Sequence, residues 1–127
     1  KLKLKKILMF HSDTYKKILE WCKIQYGKSE FQDTFPLLKL EHIPGFKSIY
    51  NADNNIIILD NNKVTTIEDA IKCVIHEYIH YTQSKSLFEF LYNEGYEYEN
   101  HPYELMAEKI AEKDCNKCKN ELNLEDK

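Results

Sequence analysis

The chain has 127 residues with a formal charge of −3, and it is 43% hydrophobic, 31% charged and 13% aromatic. That is the size of one domain with room for a core, and the wrong composition for a disordered tail. All 18 cationic residues are lysine, so no guanidinium fork exists for guanine or phosphate, and a nucleic-acid partner is not expected. The longest apolar runs, residues 7–10 and 56–59, are four residues long, far short of a membrane span. Numbering begins at Lys1 rather than methionine, so the expectation is one domain over residues 1–127 from which targeting signals can have been trimmed.

Residues 1–10 alternate and then run apolar, which predicts a first strand. Ser12 or Asp13 is placed to cap a helix carrying Tyr15, Ile18, Leu19, Cys22 and Tyr26 at helical spacing, with Gly27 as its stop. Residues 36–43 read as a strand, Pro44-Gly45 as a turn, 46–50 as a second strand and 51–55 as a polar hairpin loop. The third strand, residues 56–59, lacks alternation, which predicts a central position with both faces covered. Thr65-x-x-Glu68 has the form of a capping box opening a long helix to about Gln83. A shorter helix over 86–93, an irregular stretch over 95–101 and a last helix from Pro102 to about Lys119 complete the chain. The order predicts an α+β domain, a small mixed sheet packed on helices.

Cys22 and Cys73 fall within helical patterns and read as core residues. Cys115-x-x-Cys118 is half of a zinc ribbon or a redox pair, without the second half. This usage favours a reduced, intracellular protein.

The long helix carries His76, Glu77 and His80, the pattern His-Glu-x-x-His. Four residues advance a helix by about 40°, so both imidazoles point the same way one turn apart and can hold one Zn²⁺, with sites left for a third ligand and a water. Glu77 lies beside the pair, within reach of a metal-bound water without being a ligand. Ile71, Val74, Ile75, Tyr78 and Thr82 fall on the opposite side as a packing face. Apart from the motif itself, residues 73–82 carry no charge, as suits a helix buried beneath a metal.

These residues resemble the signature of the zincin metallopeptidases. His80 is followed by Tyr81-Thr82-Gln83-Ser84-Lys85-Ser86, which lacks the glycine and third histidine of metzincins. Asn100-His101-Pro102-Tyr103-Glu104-Leu105-Met106-Ala107-Glu108 looks like the glutamate segment of the gluzincins, closest to their minimal single-domain members, over about half of the chain. That resemblance implies a zincin-like fold with an active-site helix and a C-terminal glutamate helix. It implies Glu104 as third ligand and Glu108 as the carboxylate holding a ligand histidine, or as the ligand in its place. His101 is the rival ligand, since SprT-like proteins use a third histidine together with a zinc ribbon.

The implied activity is zinc-dependent peptide-bond hydrolysis, with zinc on His76, His80 and Glu104 and with Glu77 activating the metal-bound water. Tyr96, Tyr98, Tyr103 or His101 would donate to the oxyanion, and a peptide or protein substrate would lie along the edge of the strand at 46–50. Little room for a deep cleft implies narrow specificity. The alternative is a non-catalytic or latent metal-binding regulatory or interaction domain on the same fold, with the N-terminal segment or Cys115 and Cys118 covering the metal.

Overall fold

A computed structural model describes residues 10–126. The strand expected over residues 1–10 lies outside them, apart from Phe10. Phe10 is buried, and its carbonyl accepts from Asn61 Nδ2 at 2.8 Å.

Four helices and a three-stranded mixed sheet make up the described residues: α1 (Ser12–Tyr26), β1 (Leu37–Leu40), β2 (Ser48–Asn51), β3 (Ile56–Leu59), α2 (Ile67–Thr82), α3 (Lys85–Asn93) and α4 (Pro102–Leu122). The α+β class expected from the sequence is met. In α1 the apolar positions recur every three or four residues, and Tyr15, Ile18, Leu19 and Cys22 are buried accordingly. Its cap is His11 rather than Ser12 or Asp13, because the His11 ring nitrogen accepts the Asp13 amide at 3.2 Å. The helix ends at Gly27, whose φ of +79° disfavours any residue with a Cβ.

The strand order is β1-β3-β2, with β3 parallel to β1 and antiparallel to β2. β3 is central, as its unbroken apolar run predicts. Cover on both faces is not complete, however: Ile57 and Leu59 are buried while Ile56 and Ile58 are half-buried. Among the described residues β2 is an edge strand, and the turn before β3 is closed by Asn55 at φ +53°, a left-handed conformation that asparagine tolerates.

The N-cap of α2 sits one residue later than its sequence form, and the reciprocal bond of a capping box falls on the residue before it. Thr66, not Thr65, accepts the Asp69 amide at 3.0 Å, and Asp69 accepts the Thr65 amide in return. Glu68 is drawn away to Lys119 on α4. Ile71, Val74, Ile75 and Tyr78 form the core face of α2, as expected. Thr82 departs from that face: it is half-buried, its hydroxyl donating to the Ile79 carbonyl. Helix α4 lies along α2, and α1 is tied to it by Trp21 Nε1–Glu121 (2.7 Å) and Tyr26 Oη–Asp114 (2.7 Å).

Candidate metal centre

Because α2 buries one face in the core, its other side faces a cleft of about 760 Å³. His76, Glu77 and His80 border this cleft, with β2 on one side and α3 on the other. Glu104 enters from the first turn of α4, where the helix dipole favours a carboxylate. His76 Nε2 and His80 Nε2 lie 3.0 and 2.9 Å from the same oxygen, Glu104 Oε1. One ligand atom from each of the three residues falls within 4.8 Å of the others, and this group could hold a metal ion. In a tetrahedral site with bonds of about 2.0–2.1 Å the ligand atoms stand about 3.3 Å apart, close to the two histidine–carboxylate distances here.

Hydrogen-bond chemistry supplies a separate test of that fit. Gln83 is fixed through its amide nitrogen, which donates to the Tyr103 carbonyl at 3.2 Å, so its Oε1 faces His80 Nδ1 at 2.7 Å and accepts the proton there. The neutral tautomer of His80 then aims a lone pair from Nε2 at Glu104 Oε1, an acceptor meeting an acceptor at 2.9 Å. Such a pair is stable only with a cation between them. Without a metal the proton takes that part. Burial lowers the affinity of His80 for a proton, but Glu104 and the charge of Glu77 outweigh it and raise the pKa. Burial pushes Glu104 up, yet hydrogen bonds from both histidines hold its carboxyl down at about 2.

Glu77 is buried beside this cluster, and its Oε2 accepts from Ser48 Oγ at 2.8 Å. Burial raises its pKa against the opposing pull of His76, His80 and the Ser48 hydroxyl.

The other expected site residues separate. His101 is fully buried, with Nδ1 accepting the Tyr103 amide at 3.1 Å and Nε2 donating to the Phe88 carbonyl at 2.9 Å. Both ring nitrogens are used, so none is left for a metal or an oxyanion, and His101 serves as the N-cap of α4. Glu108 is exposed on the wall of a smaller cavity of about 210 Å³ next to His76, and no hydrogen bond joins it to either histidine. The histidine partner expected there is Gln83 instead.

Of the tyrosines, Tyr98 is 51% exposed yet borders both cavities, where partial burial and the charges of Glu104 and Glu77 push its hydroxyl up to about 12. Tyr96 is exposed and Tyr103 packs near Phe88 and His101; neither lines the cleft. Tyr92 does line it, although nothing in the sequence marked it. Cys115 and Cys118 are buried in the core, and Cys115 Sγ contacts the Glu68 carbonyl in the first turn of α2. Eleven residues of helix, about 16 Å, separate Cys115 from Glu104. That placement gives no support to a thiolate covering a metal at the cluster, and the N-terminal segment expected as the other cover lies outside the described residues.

No helix among the described residues is long and apolar enough to cross a membrane. Compared with protein-family models, curated proteins and solved structures, the chain matches none.

Proposed function

We propose that the protein is a zinc-dependent peptidase of the gluzincin type, with His76, His80 and Glu104 as ligands and Glu77 as general base. The observation that carries this reading is the shared Glu104 oxygen between two histidine nitrogens, with a buried carboxylate one residue along the same helix. A zinc ion held there supplies Lewis-acid polarisation and a lowered pKa for water. Two imidazoles and one carboxylate are a donor set typical of catalytic zinc. A site serving structure alone would have no use for the costly burial of Glu77.

In the proposed reaction Glu77 accepts the proton of the attacking water as its oxygen bonds to the peptide carbonyl carbon. Glu77 then returns that proton to the leaving nitrogen as the C–N bond breaks, giving a carboxylic acid and an amine. Tyr98 or Tyr92, which both line the cleft, would donate to the developing oxyanion. The edge of β2 that no described strand pairs with runs beside Glu77, and an extended peptide adds there as a further strand.

The test is hydrolysis of unfolded casein by zinc-loaded wild type and Glu77→Gln, with metal content measured for both. Wild type is expected to cut and to stop on chelation. Glu77→Gln should lose at least about 100-fold in rate while keeping one zinc per chain. Full activity in Glu77→Gln overturns the mechanism. One bound zinc with no cleavage by the wild type favours the second reading, a metal-binding interaction domain.

A further inference from the structure

We infer that Ser48 is a positioning residue that holds the Glu77 carboxylate in one pose for proton transfer. The inference rests on the peptidase reading above and assigns a role in it to the edge strand.

Four positions of α2, residues 69, 73, 77 and 81, follow one another at four-residue spacing and form a ridge. β2 and the residue before it run along that ridge. Lys47 pairs with Asp69 at 3.0 Å, Ser48 shares a cavity wall with Cys73 and donates to Glu77 at 2.8 Å, and Tyr50 meets Tyr81 edge-on with ring centroids 6.1 Å apart. Residues two apart on a strand are about 6.6 Å apart, and residues four apart on a helix about 6 Å. Ser48 with Glu77 and Tyr50 with Tyr81 therefore match as a pair, and neither contact can slip without the other. Backbone bonds fix the strand from behind: Ser48 pairs with Leu59, and the Lys47 carbonyl accepts the Asp60 amide at 2.8 Å. The hydroxyl thus stands on a platform held by the sheet.

A strand position facing a buried helix ridge ordinarily carries an apolar side chain. A hydroxyl there does something an apolar residue cannot. By occupying Oε2 it holds the carboxylate plane and leaves Oε1 as the acceptor for the water proton. Loss of this bond lets the carboxylate rotate, at a cost in rate rather than in substrate binding.

The test compares wild type, Ser48→Ala and Ser48→Thr, each zinc-loaded, on unfolded casein, alongside zinc affinity from chelator competition. Ser48→Ala should lower kcat about tenfold, with KM and zinc affinity within twofold of wild type. Ser48→Thr, which keeps the hydroxyl, should recover most of that loss. A second measurement needs no activity: a double-mutant cycle of Ser48→Ala and Glu77→Met on the unfolding of the metal-free protein. It should show a coupling of at least about tenfold in the folding equilibrium constant. Unchanged kcat in Ser48→Ala, a Ser48→Thr as slow as Ser48→Ala, or zero coupling overturns the inference while leaving the peptidase reading intact. A wild type that cuts nothing, or cuts equally well as Glu77→Gln, overturns that reading and the role of Ser48 with it.

Discussion

His101 stacks on Phe88 with ring centroids 4.1 Å apart and planes inclined by 28°, while its Nε2 donates to the Phe88 carbonyl at 2.9 Å. This one side chain fastens α3 to the start of α4, and so sets where Glu104 stands, three residues further on. His101→Ala removes the cap, the stacked ring and a buried donor together. It should cost about 2–4 kcal/mol in denaturant unfolding yet leave one zinc per chain. Glu104→Ala should do the opposite and abolish stoichiometric zinc binding, as metal analysis will show. Loss of zinc in His101→Ala but not in Glu104→Ala would exchange their roles.

Gln83 orients His80 from the C-cap of α2, and its amide is itself fixed by the Tyr103 carbonyl. Gln83→Ala should therefore weaken zinc binding by about 10–100-fold without removing a ligand. Chelator competition measures this directly. An unchanged affinity would mean that His80 is held by packing against Phe88 alone.

The pH dependence of the metal-free protein follows from two shifts of the same sign. Glu77 has a folded pKa above its ordinary value of 4.5, so keeping it buried costs stability once the unfolded chain ionises there. His80 has a folded pKa above 6.5, so its contribution is full below that pH and is lost as pH rises through the folded value. Glu104, held down at about 2, acts the other way, but only as pH falls below about 4.5. From pH 5 to 8 the melting temperature of the metal-free protein should fall. Glu77→Gln should remove part of that fall, and excess zinc should reverse it, because metal binding strengthens as the histidines deprotonate. Melts at a series of pH values with and without zinc check the sign.

Tyr81 is fully buried, accepts the Ser29 amide at 3.1 Å and donates to the Thr34 carbonyl at 2.9 Å. It pins the loop between α1 and β1 to α2. Tyr81→Phe leaves a buried amide without its acceptor and should destabilise by about 1–3 kcal/mol. Zinc content should not change, since the hydroxyl points away from the histidines toward that loop.

Much of the local organisation was legible beforehand. The apolar stripe of α1, the central place of β3, the turn at Pro44-Gly45 and the span of α2 all follow from patterns within a few residues. The cap of α1 was missed locally, because the His11 ring rather than a hydroxyl or carboxylate takes the Asp13 amide; the other departures come from distant partners. The cap of α2 moved by one residue because Glu68 found Lys119, which lies 51 positions away. His101 resembled a ligand because its partner, the Phe88 carbonyl, is 13 residues back on another helix. Ser48 and Gln83 drew no notice, because a serine or glutamine acquires meaning only from the side chain it meets. The polar Ser48 at a helix-facing position was the faint signal available.

By sequence alone the chain determined that His76 and His80 share one face of a helix with Glu77 beside them, since 3.6 residues per turn leaves no other arrangement. It also determined that the opposite face is apolar and must be buried. Only the tertiary structure decided that Glu104 completes the cluster and His101 does not. Their side chains start three residues apart on α4 and differ in which neighbours the packing of α3, α4 and α2 sets against them. Helical periodicity is local and legible in order of sequence. A metal site's third ligand is a matter of how helices dock, and docking is settled by the whole core at once.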